Sequence, residues 1–251
     1  MPTMQDIEAY RDTLTALSTR AVDDVGLLLA AVGTDGDPVK IRDLLIDAFP
    51  AVIQPYVTAS GELSAAWYED LRHAAVGGEF YATTVANLNA DQMAASVRWA
   101  VGPLFGQSNS TVLALLSGTT QRAVADAGRN TIDTNARKDV VSTSWSRVAR
   151  PGACEFCTML AGRGPVYRSE DAAGVAIGRG VDPSRAFDES GSRKVGGIGQ
   201  GVKARGKQAL AHEYHDDCHC VTKPTFYTRE TYTYSVRGYP RTESVLVPIP
   251  D

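Results

Sequence analysis

Apolar residues recur at steps of three and four along the first part of the chain, the period of an amphipathic helix. Ile7, Tyr10, Leu14 and Leu17, then Val25, Leu28 and Leu29, trace one such stripe. The cluster Gly33-Thr34-Asp35-Gly36-Asp37-Pro38 favours turns and closes it. Ile41, Leu44, Leu45 and Ala48 repeat the pattern as far as Pro50. Residues 51–72 continue it, with Pro55 expected to kink or restart the helix because proline lacks the N–H donor. Gly77-Gly78 breaks the chain again. Residues 79–100 are alanine-rich and read as helix until Gly102-Pro103. From Ser110 or Thr111 a long helical pattern runs through Val112, Leu116, Val124, Ile132 and Val140 to Trp145. Gly118 and Gly128 weaken it by ~1 kcal/mol each relative to alanine. Residues 1–145 are thus expected to form a helical domain.

The texture changes after Arg150-Pro151-Gly152. Between 162 and 207 glycine, arginine and serine dominate, and Gly196, Gly197, Gly199 and Gly201 oppose regular structure. So long a span without its own elements reads as an arm or a binding loop. The tail from Val221 alternates β-formers with polar residues through Thr231-Tyr232-Thr233-Tyr234-Ser235-Val236. It turns at Gly238-Tyr239-Pro240 and continues with Val245-Leu246-Val247, which predicts a hairpin or two short strands. The expected fold class is mainly α, with a small α+β module over 146–226 and a β-rich tail over 227–251.

Charge sharpens this division. The 251 residues carry a net charge of -4, but residues 1–145 hold 10 Lys/Arg against 17 Asp/Glu, whereas 146–210 hold 11 against 6. The overall acidity excludes a protein that coats nucleic acid with its whole surface. The basic middle region does permit a local phosphate contact. Arg193, Lys194, Lys203, Arg205 and Lys207 lie in a stretch with no acidic residue between Gly191 and Ala211. With only Tyr167 and Phe187 available for stacking, contact with DNA would be nonspecific and salt-dependent. The longest apolar run, Val25 to Val32, is far below the roughly 18 residues a membrane helix needs. The acidic start, Met1 to Glu8, lacks the apolar core of a secretory signal, so a soluble chain made in the cytoplasm is expected.

The cysteines and histidines carry the chemistry. All four cysteines and three of the four histidines fall in two clusters, Cys154-Glu155-Phe156-Cys157 and 212–220, the latter holding His212, His215, Cys218, His219 and Cys220. A C-x-x-C turn can present two sulfurs to one zinc ion, which takes four ligands in a tetrahedron. Cys218 with Cys220, or His215 with one of them, would complete the set. Such a structural zinc would clamp the base of the arm and could contribute on the order of 10 kcal/mol to ordering it. A disulfide pair, free thiols and a redox C-x-x-C are the alternatives, the last without the βαβ context it needs.

Enzyme signatures are weaker. No G-x-S-x-G elbow accompanies the many serines. His212-Glu213 opens an H-E pair, but Asp216 occupies the place where H-E-x-x-H needs its second histidine. A cysteine nucleophile at Cys157 or Cys218 would be unavailable as a zinc ligand. His73, beside Arg72 on a helix, reads as a surface histidine.

Arg147, Cys154, Cys157, Leu160, Gly162 or Gly164, His215, Cys218, Cys220 and Pro224 follow the order of a known pattern. In these residues the chain resembles the Mu F-like phage head morphogenesis family, in which a helical part precedes C-x-x-C and H-x-x-C-x-C followed by proline. The run from Cys154 to Arg168 is similar to the minor capsid proteins of actinobacterial tailed phages. The long insertion between the clusters departs from the shorter family pattern. The resemblance implies a structural minor capsid protein of the virion, inside the head and associated with portal, scaffold and major capsid proteins, and touching packaged DNA. It also implies an alternative, a capsid maturation protease cleaving scaffold or capsid chains.

Overall fold

The computed structural model describes residues 3–106, 110–141, 143–153, 158, 161–162, 175–177, 207–209 and 220–249. Helix α1 spans Met4–Val32 and starts in a capping box: the Asp6 amide donates to Thr3 Oγ1 (3.2 Å) and the Thr3 amide to Asp6 Oδ2 (2.6 Å). It ends at Gly33, whose φ of 74° suits glycine. Asp37 then caps α2 through the Val39 amide (2.9 Å), with Pro38 at the first helical position, where its missing N–H costs nothing.

Helix α2 runs unbroken over Pro38–Val76, through both Pro50 and Pro55. The expected stop at Pro50 and restart at Pro55 are therefore absent. Packing explains this: Leu45, Phe49, Ile53 and Val57 on this stretch are almost fully buried. Roughly 1.5–3 kcal/mol for each such side chain outweighs ~3 kcal/mol for an interior proline.

The second departure is residues 79–89, which read as helix but form neither helix nor strand. This strap crosses α2 and α4 with no strand partner, so side chains meet its backbone instead. Glu69 Oε1 accepts from the Ala82 amide (2.6 Å), and Asn135 exchanges two bonds with Thr83, at 2.7 and 2.9 Å. Thr131 Oγ1 accepts from the Val85 amide (2.9 Å), and Gln54 donates to the Ala86 carbonyl (2.7 Å). A Cβ on Gly61 would sit 2.9 Å from the Val85 carbonyl oxygen, so α2 carries glycine where the strap crosses it.

Helix α3, Ala90–Ala100, is capped by Asn89, and a 3-10 turn follows at Gly102–Phe105. Helix α4, Val112–Lys138, is capped by Thr111. It stops seven residues before the expected Trp145. Residues Thr143–Val148 form strand β1 instead, where Ser144, Trp145 and Arg147 are buried. The core gathers Val25 and Leu29 of α1, Leu45 and Ile53 of α2, Val97 of α3 and Leu116 of α4.

Strands β4, Val221–Val236, and β5, Tyr239–Pro248, form the expected hairpin, turning at Arg237 (φ 54°) and Gly238 (φ 85°). β1 adds antiparallel to the near half of β4, from Thr143↔Phe226 to Val148↔Val221, giving the order β1-β4-β5. The protein is thus mainly helical with a small three-stranded antiparallel sheet near its C-terminus. Compactness divides the chain into residues 1–166 with 215–251, and residues 167–214. In the second unit the described elements are β2, Val175–Ile177, and β3, Lys207–Ala209, paired antiparallel.

Candidate functional site

β1 and β4 fix where the cysteine-bearing segments begin and end. Val148, the last residue of β1, pairs with Val221, the first of β4. The polypeptide therefore leaves the sheet and returns to it at adjacent points. Cys220 immediately precedes Val221. It is 5% exposed, and its carbonyl accepts from Arg129 Nη2 of α4 (3.2 Å). On the outgoing side, Ala153 and Thr158 flank the C-x-x-C and meet through Thr158 Oγ1 and the Ala153 carbonyl, at 3.5 Å.

Among the proposed zinc ligands, Cys220 lies in the described structure. Cys154, Cys157, Cys218 and the alternate ligand His215 lie outside the described residues, as do Arg193, Lys194, Lys203 and Arg205. Lys207 opens β3. No group of three or more His, Cys, Asp or Glu side chains able to hold a metal occurs among the described residues. His73 sits exposed on the last turn of α2, its Nδ1 3.3 Å from the Gly78 carbonyl oxygen.

Two arginines absent from the sequence reading, Arg11 and Arg129, line a cleft together with Cys220, and a third, Arg147, is buried on the neighbouring strand. Arg11 of α1 is 6% exposed and donates from Nη2 to the Ala149 carbonyl (3.3 Å). Arg129 of α4 is 8% exposed and reaches both the Cys220 carbonyl and Asp126 (3.0 Å). Arg147, one of the residues carrying the family resemblance, is buried on β1 opposite Thr222. A signal for Arg11 was present in the sequence. The steps 7, 11, 14, 18, 21 and 25 follow one helix face, so an arginine occupies the apolar stripe of α1.

Beside Arg129, the Tyr10 hydroxyl bonds Ser64 Oγ (2.6 Å) in the interior, and its ring stacks on Trp67 at 4.9 Å. Burial pushes the Tyr10 phenol up to about 12, against the opposing pull of the Ser64 bond and the Arg129 charge. At the other end of the sheet, Asp139 binds Tyr68 Oη (3.1 Å), Arg72 Nε (3.0 Å) and the Val141 amide (3.0 Å). Burial first, then the Asp139 charge, raises the Tyr68 phenol strongly. This cluster ties α2 to the turn that feeds β1, and Phe226 of β4 packs edge-on against Tyr68 at 5.6 Å. Trp145 Nε1 donates to Asp133 Oδ1 (3.0 Å), anchoring β1 to α4.

A family model described as VG15 protein matches residues 1–242, nearly the whole chain, helices and hairpin included. The chain belongs to the VG15 family. VG15 is a viral, phage gene-product family, so this is a phage protein. No curated protein and no protein of solved structure matches the chain. No helix among the described residues of this VG15 protein is long and apolar enough to cross a membrane.

Proposed function

We propose that this VG15 protein is a structural minor capsid protein of a tailed phage, acting near the portal in head assembly or in DNA packaging and ejection. The observation that carries the reading is the family match over residues 1–242, taken together with the Mu F-like order of Arg147, the four cysteines, His215 and Pro224. The architecture suits the role. A helical body braces a three-stranded sheet whose β4–β5 hairpin is exposed over its outer half, and exposed strands of this kind can pair with neighbouring chains.

Cys154, Cys157, Cys218 and Cys220, with His215 as alternate ligand, are the residues that would hold a structural zinc at the base of the arm. The adjacent ends of β1 and β4 support this. Four soft ligands would close a site whose only role is to tie two segments. The basic residues Arg193, Lys194, Lys203, Arg205 and Lys207 would meet packaged DNA through its phosphates.

Mass spectrometry of purified particles tests the assignment. The chain should be found in heads, and phage lacking it should give defective particles with major capsid and scaffold proteins of unchanged mass. Its absence from heads would refute the structural role. Trimming of capsid or scaffold chains that disappears with a point variant of this protein, while particles still assemble, would replace it with the maturation protease.

A further inference from the structure

We propose that the cleft bounded by α1, α4 and the start of β4 binds a phosphate-sized tetrahedral oxyanion. The cleft is partly open to solvent and is lined by Arg11, Ser18, Gln121, Arg129 and Thr222, among others. The described lining includes two guanidinium groups and no carboxylate.

Arg11 decides the ligand's charge. Its guanidinium is more than nine-tenths buried, donates one hydrogen bond to a neutral carbonyl, and leaves Nε without an acceptor. No carboxylate lies within ion-pair distance of it among the described residues. A buried cation without a counter-charge is costly, and buried donors are as a rule satisfied. The Asp126 carboxylate that pairs with Arg129 is 42% exposed, at the rim. Thr222 adds a second buried group on the same cleft, 3% exposed and with its hydroxyl unmet.

A metal cation is excluded by two like charges, and an apolar ligand would leave Arg11 Nε and the Thr222 hydroxyl unmet. An anion with several acceptor oxygens answers them together, because a guanidinium fork binds such oxygens in pairs. Donors arriving from α1, α4 and β4 surround the ligand rather than meet one edge of it, which favours a tetrahedral ion over a planar carboxylate.

Inorganic phosphate is the probe. Calorimetric titration and thermal unfolding of the full-length protein would compare phosphate with acetate and chloride at matched ionic strength. Wild-type protein should show saturable phosphate binding and a rising melting temperature, and Arg11→Met should weaken binding at least tenfold. Because methionine fills similar space without a charge, R11M should be no less stable than wild type in phosphate-free buffer. Thr222→Val should weaken phosphate binding with little change in basal stability. No saturable response in wild type, an equal response in R11M, or acetate binding as tightly as phosphate would each overturn the proposal.

Discussion

Gly128 is where the fold can be tested most directly. A Cβ at this position would lie 2.7 Å from Ser64 Oγ, 3.1 Å from Ser60 Oγ and 3.6 Å from the Tyr10 hydroxyl. These three atoms belong to a buried chain of hydrogen bonds. Tyr10 meets Ser64 Oγ at 2.6 Å, Ser64 donates to the Ser60 carbonyl at 2.7 Å, and Ser60 donates to the Val124 carbonyl at 2.6 Å. Helix propensity alone would make Gly128→Ala stabilising by ~1 kcal/mol. Against it stand an overpacking cost of about 1–3 kcal/mol and about 0.5–1.5 kcal/mol for each hydrogen bond lost. The net expectation is destabilisation by about 1–3 kcal/mol. Urea unfolding followed by circular dichroism reads this as a lower midpoint at unchanged slope. Gly26→Ala is the internal control: its Cβ would meet Leu113 Cδ1 at an ordinary 3.9 Å, so the propensity gain should appear undiminished. Adding Ser64→Ala to G128A should recover part of the loss, since it removes the nearest atom. A G128A protein as stable as wild type would mean that α1, α2 and α4 are not held at this spacing, and the close-packing argument would fail.

Two further outcomes follow from the buried polar groups. Asp139→Ala strips the carboxylate from Arg72, whose side chain is 9% exposed, and should cost about 3–5 kcal/mol, as removing one partner of a buried ion pair does; a loss below about 1 kcal/mol in chemical unfolding would contradict the described network. For Tyr10, the folded-state value near 12 lies above the ordinary 10, so the folded protein holds the phenolic proton more tightly than the unfolded chain. That contribution is intact below pH 10 and is lost as pH rises toward 12, by about 1.4 kcal/mol per unit. Tyr10→Phe should flatten the fall in unfolding midpoint over this window, and an unchanged slope would refute the assignment to Tyr10.

The helical body and the hairpin were legible because each is written in a local code. The turn residues at 33–38 and the β-formers around Gly238 require no knowledge of the rest of the chain. Three misreadings had one cause, the dominance of tertiary contacts over local preference. Pro50 and Pro55 sit inside α2 because Phe49, Ile53 and Val57 bury beside them. Residues 79–89 belong to the alanine-rich stretch 79–100 that reads as helix, yet Asn135 and Thr131 satisfy their backbone outside any helix. Residues 143–148 continue the helical rhythm of α4, yet β4 offers them a strand partner and Asp133 holds Trp145 in place. Gly128, weighed from sequence as a weakness in a helix, is a point of close approach between helices. The cleft was less legible. Arg11 on an apolar stripe was a visible anomaly, but its relation to Arg129 and Thr222 depends on residues more than a hundred positions away.

The strap over 79–89 behaves as a tethered guest in a groove built for peptide backbone. Its grip is blind to side-chain identity at Ala82 and Val85, where Glu69 and Thr131 hold main-chain atoms, whereas at Thr83 the Asn135 bonds to the backbone are joined by Lys138 Nζ donating to the side-chain hydroxyl. Sequence could drift there while the trace stays fixed, whereas inserting a single residue would throw every one of those bonds out of step.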